Sequence, residues 1–181
     1  MRAPSPTATL DRARLPAPER LAAVATVLCV YPSRHRDALD GWLQAHSAER
    51  LVHHDGEASC EALLFRNGAG RACWRLYLLP DSDFLAWDRL VSAFPARPEP
   101  SNEGGVAERL WRRVATRLGG EPWRMCALRL HAGDGQGLAA SVASLSALGA
   151  TAARRIARVE GADGELWVDD ANVAPLLHLS S

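Results

Sequence analysis

The chain contains no lysine; all 21 of its basic residues are arginine. That absence excludes an amine nucleophile, and it makes every side-chain cation a planar fork suited to carboxylates. Net charge is missing as well, because 21 acidic residues balance the arginines. With no overall field to gather a polyanion, nucleic acid is not an expected partner. The four cysteines, Cys29, Cys60, Cys73 and Cys126, include no CxxC pair. The usual spacing of a zinc or thioredoxin-like site is therefore absent, and buried free thiols are expected. No run reaches about 18 uninterrupted apolar residues, and the N-terminus has no apolar core of signal-peptide length. The expectation is a reduced, cytoplasmic chain without membrane insertion.

Hydrophobic residues make up 48% of the 181 and charged residues 23%, the balance of a globular chain. The length suits one domain. Residues 1–18 are rich in Pro, Ala and Arg and read as a mobile tail, which leaves 19–181 as the domain. "PARPEPSNEGG" (95–105) has the composition of a linker between two subregions.

"LAAVATVLCVYP" (21–32) reads as a buried strand near 24–31, or as a short helix running into one. "SRHRDALDGWLQAHS" (33–47) has the spacing of a helix carrying Leu39, Trp42, Leu43 and His46 on one face. "ERLVHHDGEA" is a short strand ending in an Asp55-Gly56 turn. Residues 59–66 and 71–79 form a hairpin around "NGAG". Alternation sets Ala72, Trp74, Leu76 and Leu78 on one face, and Arg71, Cys73, Arg75 and Tyr77 on the other. Asp81 or Ser82 then caps a helix whose stripe is Phe84, Trp87, Leu90, Val91 and Phe94.

Past the linker, "VAERLWRRVATRLGG" reads as a helix, "WRMCALRLHA" as a strand and "GLAASVASLSALGA" as a helix. "ARRIARVEG", "GELWVDD" and "APLLHLS" read as three closing strands. The fold class is α+β, a mainly antiparallel β-sheet flanked by helices.

No catalytic residues emerge. "GDGQG" (133–137) lacks the Lys-Ser/Thr of a phosphate loop, and no serine sits in a nucleophile elbow. The two carboxylates of "VDDAN" suit an Asx-type turn.

The stretch from Trp42 to Phe94 resembles the hemin transport and hemin-degrading factor family of bacterial heme utilisation. The resemblance lies in "EALLFRN", the glycine turn, "GRACWRLYL", the "SD" start and the helix "FLAWDRLVSAF". "LWRRVATRL" and the closing "LWVDDANVAPLLHLS" are looser matches to later parts of the family. It implies a heme-utilisation-like sheet packed by helices, with heme in a cleft, an axial donor on the iron and Arg on the propionates. Family members often have two such halves, so this chain resembles a single unit and a homodimer is expected. One departure falls in the second hairpin strand, where Trp74-Arg75 stands in place of the family's usual His-Lys.

Heme binding requires an axial donor, an apolar slot and cations for two carboxylates. The candidate axial donors are His53 and His54, with His46 as a further cofactor contact. Adjacent strand positions face opposite sides, so at most one of His53 and His54 reaches a given cleft. Arg75 and Tyr77 share a strand face and can line that cleft, the first on a propionate and the second as donor or stacking partner. The function expected is heme trafficking or utilisation in the cytoplasm, with a heme-uptake protein as partner. The alternative is a non-catalytic interaction or structural domain on the same scaffold that has lost heme binding.

Overall fold

The computed structural model describes residues 15–55, 58–94, 96–98, 122–133 and 137–162. The architecture is α+β. In chain order the elements are α1 (Pro18–Ala23), β1 (Thr26–Pro32), α2 (Asp40–Gln44), β2 (Ala45–Asp55), β3 (Ala58–Asn67) and β4 (Ala72–Tyr77). They are followed by α3 (Phe84–Val91), β5 (Ala96–Pro98), β6 (Trp123–Ala132), β7 (Leu138–Val142) and α4 (Ala147–Glu160). The strands form one sheet in the order β5-β2-β3-β4-β1-β6-β7. Every neighbouring pair is antiparallel except β2 with the short edge strand β5.

β1 lies between β4 and β6 and is covered on both sides, so its run of apolar residues has no polar face to alternate with. Val27 and Cys29 point into the larger core, with Leu63, Phe65, Trp74, Leu76, Trp87, Leu90 and Leu128. Leu28 and Val30 point into a smaller one, with Ala62, Tyr77, Met125, Ala153 and Ile156. The helices α1, α2 and α3 cover the first side and α4 covers the second. In the larger core the Phe65 and Trp74 rings lie 5.0 Å apart and Trp42 stands edge-on to Phe65 at 6.0 Å.

The hairpin forms as its turn chemistry requires. Asn67 Oδ1 accepts the backbone N–H groups of Ala69 and Arg71, both at 3.0 Å, and Gly70 takes φ +74°. α3 also stands where most of its stripe puts it, with Trp87, Leu90, Val91 and Phe94 buried, while Phe84 at its start is exposed. Its cap, however, is Asp83, which accepts from Ala86 N–H at 2.9 Å. Ser82 instead accepts from Leu79 N–H and donates to the Thr26 carbonyl, closing the end of the sheet.

Several expectations are corrected. Residues 15–18 of the expected tail pack: Leu15 lies against the larger core, and Pro16 and Pro18 are buried. Residues 18–32 are the helix-into-strand alternative, α1 then β1. The helix expected over 33–47 shrinks to Asp40–Gln44, and residues from Ala45 onward join the sheet against β3. Gly41 backs onto β4 so closely that a Cβ there would lie 2.7 Å from Trp74 Cβ. A bulge between Phe65 and Arg66 breaks the alternation of β4, so Cys73 joins the Trp74 core instead of the Arg75 face. "LAASV" is the edge strand β7 where a helix was expected, because it pairs along β6 from Leu128 to Ala132. "ARRIARVE" belongs to helix α4, whose buried Gly149, Ala150, Ala153 and Ile156 recur at helical spacing. Ala96–Pro98 of the expected linker is β5. The helix expected over 106–119 and the two last strands lie outside the described residues.

Candidate functional site

The second strand of the hairpin delivers Arg75 and Tyr77 to the α4 side of the sheet, as alternation predicts. Both meet one carboxylate. Glu160, in the last turn of α4, accepts from the Arg75 guanidinium and from the Tyr77 hydroxyl. Arg75 also lies over the Trp123 ring, 5.0 Å from its centroid, so the cation is held between an aromatic face and an anion. The Arg75 and Glu160 side chains are 24% and 11% exposed, which places the pair in a shielded setting. Burial pushes the Tyr77 hydroxyl well above its ordinary range, and the neighbouring Glu160 carboxylate adds to that shift. The Arg75 guanidinium is held more firmly protonated by Glu160 and Tyr77 against its own burial.

The cluster can therefore grip a carboxylate through a guanidinium and a phenol, beside an indole face. Glu160 is the member that sequence reasoning missed. It is separated from Arg75 by 85 positions, and the one local signal is that it directly precedes Gly161, a left-handed C-cap with φ +64°. That signal marks a helix end, where the expectation was a strand.

α4 is tied at its other end too. Asp81 Oδ1 accepts from Ser146 N–H at 2.8 Å, and Ser146 Oγ caps the helix by accepting from Gly149 N–H at 3.1 Å. A Cβ at Gly149 would overlap the Asp81 carboxylate, so only glycine lets Asp81 sit there. In between, Arg155 Nη2 reaches Cys60 Sγ at 3.6 Å.

The histidine candidates separate. His46 is not on a helix; it lies in β2 at the hairpin end and is exposed, with its imidazole 3.5 Å from where a Cβ of Gly68 would stand. His53 and His54 are in β2, in register with Cys60 and Ser59. Since Cys60 packs with the α4-side core, position 53 is the one of the two on the same side of the sheet as Arg75 and Tyr77. His131 is the penultimate residue of β6 and pairs with the Ser141 hydroxyl at 2.9 Å.

Among the described residues no three His, Cys, Asp or Glu side chains converge on a point that would hold a metal ion. A cleft of about 400 Å³ lies between α1 and α3, lined by Arg20, Ala23, Ala86, Arg89, Leu90 and Ser92. It is on the three-helix side of the sheet, away from Arg75 and Tyr77. No helix among the described residues is long and apolar enough to cross a membrane. No family model, curated protein or solved structure matches the chain.

Proposed function

We propose that the chain binds heme for trafficking or utilisation in the cytoplasm. The observation that carries this reading is the convergence of Arg75 and Tyr77 on a single carboxylate. A guanidinium and a phenol around one carboxylate form a receptor for a propionate, and the Trp123 face beside them suits a flat apolar ring. The donor set thus fits the acidic edge of heme. His53 would supply the axial donor, since position 53 shares the sheet side of Arg75 and Tyr77. Heme brings an iron whose axial position a protein imidazole fills. His54 and the exposed His46 are the other donors to be tested. On this reading a second copy of the chain completes a homodimer, and a heme-uptake protein is the donor or acceptor.

Hemin titration tests the reading. A saturable change in the Soret band at one equivalent is expected, weakened by Arg75→Ala and altered by His53→Ala. No stoichiometric change would remove the heme proposal.

A second reading has its own support. Glu160 already accepts from both Arg75 and Tyr77, and Trp74 stands where the resembling family has His. A non-catalytic interaction or structural domain would use the same cluster only to fasten α4. It predicts a flat hemin titration together with a large loss of stability in Glu160 variants.

A further inference from the structure

We infer that α4 is a displaceable cover over Arg75 and Tyr77, and that Glu160 is the latch that holds it shut by standing where a ligand carboxylate would bind. The inference deepens the reading above and rests on it for the identity of the ligand.

Three observations carry it. First, the buried face of α4 is made of small residues. Over 14 residues it buries Gly149, Ala150, Ala153 and Ile156, so a single large side chain fastens its middle. The eight-residue α3 buries Trp87, Leu90 and Val91. Burial energy scales with apolar area, so α4 is held far less firmly per turn. Second, what α4 lacks in apolar contact it makes up in polar contact at its two ends. Asp81 holds Ser146 N–H at the start, and Arg75 with Tyr77 holds Glu160 at the finish. Third, the two ends differ in kind. The Asp81 contact is a hydrogen bond to backbone next to the connection from β7, so it can stay in place as a pivot. The Glu160 contact is a side-chain carboxylate on two donors, which another carboxylate can replace group for group. The Arg75 guanidinium and the Tyr77 hydroxyl would then keep their partners while α4 swings out from its C-terminal end about residues 143–146.

Opening of this kind is a local unfolding event, and amide hydrogen exchange measures it. The test uses the full chain and compares peptides from α4 with peptides from α3 and β1. Glu160→Gln is expected to raise exchange across 147–160 by about tenfold or more, since it removes one charge of a shielded pair. Tyr77→Phe keeps that charge pair and takes away one hydrogen bond, so a rise of a few fold is expected, about what one such bond contributes. It also covers the case in which Glu160→Gln folds poorly. Exchange in α3 and β1 should not move in either variant. If α3 and β1 rise in step with α4, or if α4 is as protected as β1 and insensitive to both changes, the cover does not exist.

Hemin mixing then reads the ligand side. A faster association in Glu160→Gln than in the unaltered chain is expected. Equal rates, with α4 opening freely, would mean that Glu160 does not guard the site and would overturn the latch. Absence of hemin binding in both proteins would remove the heme reading alone, while the exchange data would still decide whether α4 opens.

Discussion

The two faces of the sheet are built by different rules. The three-helix face is filled by large rings and branched side chains: Trp42, Phe65, Trp74, Trp87, Leu63 and Leu76 interlock there. The α4 face is filled by Leu28, Val30, Met125 and Ile156 among alanines, and it is closed by polar contacts at both ends of the helix, a side-chain pair at Glu160 and a side-chain-to-backbone bond at Ser146. Apolar packing is non-directional and adds up over area. Polar pairs under a helix depend on geometry, and each can be undone by a single substitution. One face is therefore held mostly by packed area and the other by a few placed contacts.

The largest expected effect tests that division directly. Trp74→Ala removes a side chain with no exposed surface and leaves a cavity beside Phe65 and Trp42. A loss of about 3–5 kcal/mol is expected, read as the shift of a urea unfolding midpoint. On the other face Ile156→Ala deletes the one large buried residue of α4, and about 2 kcal/mol is expected, the low end for such a change. Equal losses would break the comparison. Glu160→Ala falls between those two, at about 2–3 kcal/mol, somewhat below the usual range for a fully buried pair because Arg75 keeps the Trp123 face and some solvent. Gly149→Ala drives the Asp81 carboxylate off Ser146 N–H, and about 1 kcal/mol is expected for the lost bond.

The same division explains what could be read from the residues alone. The β3–β4 hairpin and α3 were legible because their large apolar residues recur at the right period and their turn carries Asn67 and Gly70. Arg75 and Tyr77 were legible as a pair on one strand face. Their partner was not, since Glu160 and Asp81 act across 85 and 65 positions and no local pattern announces such contacts. The misread segments were those rich in small residues. "GLAASVASLSALGA" has leucines at helical spacing, yet Leu138–Val142 became a strand because pairing with β6 satisfies its backbone. "ARRIARVE" has an Ile and a Val that read as strand, yet it became helix because Ala147–Ala153 supply a helix-forming run ahead of it. His46 was misplaced for a similar reason. The helix that was to carry it ends at Gln44, and the chain from Ala45 pairs with the β3 residues Arg66 and Asn67.

pH sharpens the contrast at its acid end. At alkaline pH both faces titrate, because burial raises the Tyr77 hydroxyl on the α4 face and the Cys29 and Cys73 thiols on the three-helix face. In each case the unfolded chain loses the proton first, so stability should be intact below about pH 8.5 and decline above it. Tyr77→Phe should make the part of this alkaline limb above about pH 10 shallower in a series of urea titrations and leave the thiol part in place. On the three-helix face His35 is buried, its Nε2 is paired with Gln44 Nε2 at 3.3 Å, and burial with the adjacent Arg34 lowers its pKa. Here the unfolded chain binds the proton first. Stability should be intact above about pH 6.5 and fall as the pH drops below it. His35→Gln should remove that acid limb and leave the alkaline one untouched. If either substitution moves the opposite limb, the faces are coupled and the division fails.

The smallest effect belongs to a charge pair that serves neither face's core. Arg66 donates to Glu49 through Nε at 2.9 Å and Nη2 at 2.7 Å, at the hairpin end of β2 and β3. It has the same chemistry as the Arg75–Glu160 pair, but its Arg side chain is 36% exposed. In that setting solvent screens the attraction, and Glu49→Ala should cost at most about 1 kcal/mol. The salt dependence separates the two pairs more cleanly than the magnitude does. Added salt should erase the effect of Glu49→Ala, because exposed charges are screened within about 8–10 Å at moderate ionic strength. It should leave most of the effect of Glu160→Ala, whose partner is sheltered beneath α4. A Glu160 effect that vanished in salt would put the Arg75 cluster in open water and leave α4 with no latch to release.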